Sequence, residues 1–117
     1  MYTEEYKINF EKAEGYLKKG NFNQAIIEFK TVLGKYPDDP RCYNKLGVCC
    51  ANLRDFIKAK SYLEKALALD LKYPESYNNL GNICLEEKEY EKSIELYKKA
   101  LELNPDYAAA HSNLGLA

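Results

Sequence analysis

Leu46-Gly47, Leu80-Gly81 and Leu114-Gly115 recur at a spacing of 34 residues, and that spacing keeps the whole chain in one register. The same offset relates Tyr43 to Tyr77, Ala66 to Ala100, Leu67 to Leu101 and Pro40 to Pro74. Toward the N-terminus it relates Ala13 to Gly47, Tyr16 to Cys50, Phe22 to Phe56, Ala25 to Ala59 and Phe29 to Leu63, without insertion or deletion. A fixed period of about 20–50 residues marks a repeat architecture, in which each unit buries its apolar face only against its neighbours. The units run over 6–39, 40–73 and 74–107, with 108–117 opening a fourth. Residues 1–117 are expected to form one domain of such units.

Each unit reads as two helices. In the third, Tyr77, Leu80, Gly81 and Cys84 follow the i, i+3, i+4, i+7 rule of a single helical face. The pattern restarts with Tyr90, Ile94, Tyr97 and Leu101 and stops before Asn104-Pro105. Pro37 and Pro105 end second helices, because proline cannot continue a helix. Pro40 and Pro74 open first helices, where a missing N–H is harmless. Gly20 suits a left-handed stop inside the first unit. Arg54 and Lys88 hold the same position, which predicts strained turns in the other two. Ala13, Gly47, Gly81 and Gly115 on first helices, facing Ala25, Ala59 and Ser93 on second ones, predict close helix contacts. Phe22, Phe56 and Tyr90, with Phe29, Leu63 and Tyr97, supply the bulk around them. No alternating pattern suggests a strand, so the fold class is all-α.

Composition narrows the function. Seventeen basic and eighteen acidic side chains leave a net charge of -1, unlike the basic face of a nucleic-acid binder. No apolar run approaches the ~20 residues needed to span a bilayer. No basic leader precedes an apolar stretch at the N-terminus, so a cytoplasmic protein is expected. The only histidine, His111, shares the column of Tyr43 and Tyr77 and reads as a packed or partly exposed helix residue. Cys42, Cys49, Cys50 and Cys84 contain no Cys-x-x-Cys and read as small buried apolar residues. These absences predict no metal, no cofactor and no catalysis.

The assembled landmarks resemble the tetratricopeptide repeat, a helix–turn–helix unit with aromatic, Leu-Gly, Tyr, Ala, Phe and Pro positions at this period. Tyr77, Leu80, Gly81, Tyr90, Tyr97, Ala100 and Pro105 carry the resemblance best. The second unit departs at Leu71, where proline is expected, and at Lys60, in the column of Ile26 and Ile94. The first departs at Asn9 and Lys12. The resemblance implies a right-handed α-solenoid that binds a peptide or partner segment in a concave groove lined by first helices. The alternatives are a self-assembling structural module and a regulatory interaction domain of a larger enzyme.

Counting about 100° per residue away from the Leu-Gly stripe selects the groove residues. They are Lys7, Phe10, Glu11, Glu14 and Lys18 in the first unit, and Arg41, Asn44, Lys45, Val48 and Asn52 in the second. Glu75, Asn78, Asn79, Asn82 and Glu86 follow in the third, and Ala109, Ser112, Asn113 and Leu116 in the fourth. Asn79 and Asn113, one repeat apart, are expected to project amides that match a peptide backbone. Arrays of the glycosyltransferase that adds N-acetylglucosamine to Ser/Thr look similar in this respect, although Lys45 breaks the series here. Arrays that clamp acidic chaperone tails carry Lys/Asn, Asn and Lys/Arg at the columns held here by Phe10, Glu14, Lys45, Glu75 and Asn79. Two carboxylates at those columns predict no chaperone-tail clamp. Leu114 and Leu116, left without a second helix, mark a possible homo-oligomer contact.

Overall fold

The computed structural model describes residues 3–116, with side-chain surroundings through residue 115. Seven helices follow in order: α1 (Glu4–Lys18), α2 (Phe22–Lys35), α3 (Pro40–Asn52), α4 (Phe56–Leu69), α5 (Pro74–Glu86), α6 (Tyr90–Leu103) and α7 (Ala108–Leu116). Local chemistry sets their ends. Thr3, Asp39 and Asp55 accept the backbone N–H groups of Tyr6, Arg41 and Lys58, and Pro40 and Pro74 occupy the first turns of α3 and α5. The three turns within repeats share one geometry. Asn21, Asp55 and Glu89 donate five residues back, and Gly20, Arg54 and Lys88 donate three residues back, with φ of 80°, 67° and 64°. Left-handed backbone costs a non-glycine residue roughly 1–2 kcal/mol, so the strain expected at Arg54 and Lys88 is present. Lys88→Gly should therefore raise stability by about 0.5–1 kcal/mol, read as a higher urea midpoint at unchanged slope.

Helices pair as α1 with α2, α3 with α4 and α5 with α6, and each second helix also packs on the next first helix. The first helices additionally touch one another, α3 with α5 and α5 with α7, so the stack curves with the first helices inside. Close pairing depends on two glycines. A Cβ on Gly47 would lie 2.6 Å from Leu63 Cγ and 3.2 Å from the Ala59 carbonyl oxygen; one on Gly81 would lie 2.6 Å from Tyr97 Cε1. Phe29, Leu46, Leu63 and Tyr97 are fully buried around these contacts. Tyr90 differs from the expectation: it is 51% exposed. Its equivalents Phe22 and Phe56 pack beside the core through the following first helix. Ile83, which helps cover Phe56, corresponds to residue 117 in the next unit, outside the described residues.

The two departures in the second unit are accommodated differently. Lys60 pairs with Glu87, and Leu71 is left exposed.

Candidate functional site

The inner face of α1, α3 and α5 carries two clefts. One, of about 450 Å³, lies along α1 and reaches Arg41 at the start of α3. Lys7, Phe10, Glu11 and Glu14 line it together with Thr3, Glu4 and Tyr6. The other, of about 290 Å³, lies between α3 and α5. Val48, Asn52, Asn79, Asn82 and Glu86 line it. Ala51, Phe56, Leu63 and Ile83 give it an apolar floor that the angle alone did not identify. Arg54 is a further addition: it stands on the strained turn, and its guanidinium meets Glu86 at 2.9 Å across the mouth. Opposite charges 32 residues apart, in a period of 34, were the available signal.

Several of the predicted groove residues are also packed or bonded within the fold. Phe10 is buried because the Arg41 guanidinium lies 4.2 Å above its ring and Phe29 packs against its edge. Asn44 and Asn78 are only 3% and 4% exposed and lie between successive first helices. The Asn44 carbonyl oxygen accepts from Ser76 Oγ at 2.9 Å and from Asn79 Nδ2 at 3.0 Å. The Asn78 carbonyl oxygen accepts from Asn113 Nδ2 at 3.1 Å. The asparagine series is thus in part a set of bonds between repeats, because the curvature brings each first helix against the next. Glu75 is half-buried beside Tyr73 and Tyr107. Burial, reinforced by that carboxylate, holds both phenols in their neutral form.

Some amide capacity remains on the groove side. Asn79 keeps its carbonyl oxygen and one N–H, while Asn82 accepts from Tyr97 OH at 2.7 Å and keeps both N–H groups. Asn52 donates to the Val48 carbonyl of its own helix at 2.9 Å and keeps its oxygen. Lys45 is tied to Glu14 at 3.3 Å, which joins α1 to α3 and neutralises both charges locally. No cluster of His, Cys, Asp and Glu able to hold a metal occurs among the described residues. No described helix is long and apolar enough to cross a membrane.

Three sequence profiles match the chain. Two are described as tetratricopeptide repeat, over residues 10–56 and 40–73, and one as TPR repeat, over residues 81–117. The chain belongs to the tetratricopeptide-repeat family. Solved structures agree that these tetratricopeptide repeats form an α-solenoid. An O-GlcNAc transferase of Thermobaculum terrenum is 28% identical with a TM-score of 0.90, over 99% of this chain but 23% of that one. The pilF protein of Pseudomonas aeruginosa is 27% identical with a TM-score of 0.85, over 95% of this chain and 51% of that one. The first tetratricopeptide domain of Spaghetti (RPAP3), bound to the HSP90 peptide SRMEEVD, is 23% identical with a TM-score of 0.86, over 99% and 92%. No curated protein matches the chain in sequence. Leu116, expected with Leu114 at an association end, has its side chain outside the described part of the structure.

Proposed function

We propose that this tetratricopeptide array is a non-enzymatic interaction scaffold that holds an extended, polar protein segment in its groove. One apolar side chain of the segment enters the cleft between α3 and α5. The observation that carries this reading is the arrangement of that cleft. An apolar floor of Ala51, Phe56, Leu63 and Ile83 is bordered by Asn52, Asn79 and Asn82, whose remaining amide groups match a peptide backbone. The described complex of the RPAP3 domain with a peptide supports the use of this fold for segment binding.

The charges favour a partner that is not uniformly acidic. Glu14 and Glu75 stand at two of the columns a chaperone-tail clamp requires, and the Lys45 ammonium is already engaged by Glu14. A tail carboxylate would have to displace that pair and approach Glu75, which is unfavourable in sign. The reading excludes saturable binding of an acidic chaperone-tail peptide.

The test has to spare the bonds within and between repeats, so Asn79, Asn82 and Asn113 are poor choices for substitution. Val48 is half-buried in the cleft and bonds only through its backbone. Peptides selected on the parent chain from a random displayed library should bind Val48→Glu at least about tenfold more weakly, a change of ~1.4 kcal/mol, by fluorescence titration. Selected peptides that bind both proteins equally, or a library that yields none, would refute groove recognition.

A further inference from the structure

Arg54 and Glu86 meet across the mouth of the cleft between α3 and α5, and they are held differently. Arg54 stands on a left-handed turn with φ of 67°. Its guanidinium lies 4.8 Å above the Phe56 ring, and Nη1 donates to Glu86 Oε2 at 2.9 Å. Glu86 is the last residue of α5 and is held by that bond alone; its second oxygen, Oε1, has no partner among the described residues. The two side chains are 65% and 54% exposed. An exposed pair of this kind adds little to stability, so a ligand group can share it or replace it.

The surroundings give this mouth a negative sign. Among the described residues lining the cleft, Arg54 is the only cation and Glu86 the only carboxylate. Helix α3 ends at Asn52 and α5 at Glu86, so the negative ends of both helix dipoles lie at this edge. Neither helix carries a basic residue in its last turn. The turns that follow add Asp55, Glu87 and Glu89 against Lys88, and Lys60 of α4 is already taken by Glu87.

We propose that Glu86 is a specificity-determining residue of this cleft, and that it selects segments carrying lysine or arginine beside the apolar side chain. The proposal rests on the groove reading above and adds a charge to it. The ligand cation donates to Oε1 while Arg54 keeps Oε2 and its place over Phe56. A ligand carboxylate at the same point would meet Glu86 and both helix ends, with only Arg54 to attract it.

The probes are peptides selected on the parent chain from the random displayed library. Their common apolar residue should have lysine or arginine at the adjacent or next-adjacent position. Glu86→Gln should weaken their binding about threefold. The exchanged chain, Arg54→Glu/Glu86→Arg, keeps an ion pair but reverses its direction, and at low salt should bind them at least about tenfold more weakly. Glutamate in place of the peptide's basic residue should invert that preference, so that the exchanged chain binds better than the parent. Both side chains are exposed, so circular dichroism and melting of the variants should match the parent. Equal binding to the parent and the exchanged chain, or selected peptides without the basic residue, overturns the proposal. Peptides that weaken on Val48→Glu but not on the exchanged chain leave groove recognition standing and remove the role of Glu86. Peptides indifferent to Val48→Glu refute both.

Discussion

Tyr97→Ala is expected to remove about 3–5 kcal/mol of stability, the range for truncating a fully buried aromatic side chain. A folded chain of this length has only about 6–18 kcal/mol in total, so the loss is a large fraction of what holds the protein together. The Tyr97 ring sits on the Gly81 seat and its hydroxyl donates to Asn82, so the substitution loosens α6 from α5 and leaves α7 with half its support. Repeats exchange stabilisation mainly with neighbours, which confines the damage. Urea unfolding should split into an early transition for α5–α7 and a later one for α1–α4, each with a smaller denaturant slope than the parent. Tyr97→Phe retains the ring and should cost only about 0.5–1.5 kcal/mol, the worth of one hydrogen bond. A Tyr97→Ala chain that unfolds in a single transition within about 1 kcal/mol of the parent would mean that the glycine seats do not organise the pairing.

Alkaline pH should unfold the protein, starting near pH 9. Burial pushes the Cys49 thiol up to about 12, with neighbouring Cys50 adding to the effect. Burial, and then the Asp39 carboxylate, raises Cys42 further, and Cys50 and Cys84 are raised chiefly by burial. In the unfolded chain a thiol titrates near ~8.5. Below that pH both states keep the proton, and the stabilisation is complete. Above it the unfolded chain releases protons that the folded chain retains, so stability falls until the folded values are reached. Each such thiol contributes at most about 1.4 kcal/mol per pH unit. Tyr97, raised by burial to about 12, joins above the ordinary phenol value of ~10. Urea midpoints measured under reducing conditions from pH 7.5 to 10.5 should therefore decline ever more steeply. Cys42→Ala/Cys49→Ala should flatten that decline, whatever it does to stability at neutral pH. A midpoint independent of pH to about 10.5 would show that these thiols ionise in the folded state.

The elements were legible because each depends on short-range chemistry. Pro40 and Pro74 start helices wherever they stand in a fold of this period, and the strained turns at Arg54 and Lys88 follow from the column of Gly20. The glycine columns predicted close approach, and Leu63 and Tyr97 fill them. The groove was legible only in part. A helical wheel reports the direction of a side chain from its own axis, and by that measure Asn44, Asn78 and Phe10 faced outward. It carries no information on how close the next first helix stands or on what covers a ring. Asn44 and Asn78 became links between α3, α5 and α7, and Phe10 was covered by Arg41. Arg54 was missed because it belongs to a turn, where the wheel does not apply.

By itself, the sequence determined the period, the paired helices, the left-handed turns and the small-residue contacts, because residue type and spacing along one helix decide all of these. Only the tertiary structure decided which amides bind neighbouring repeats and which remain free, and that Phe56, Leu63 and Ile83 floor a cleft. The physical reason is the same in each case. These properties depend on the angle and distance between helices, which the summed packing of the stack sets and no single helix encodes.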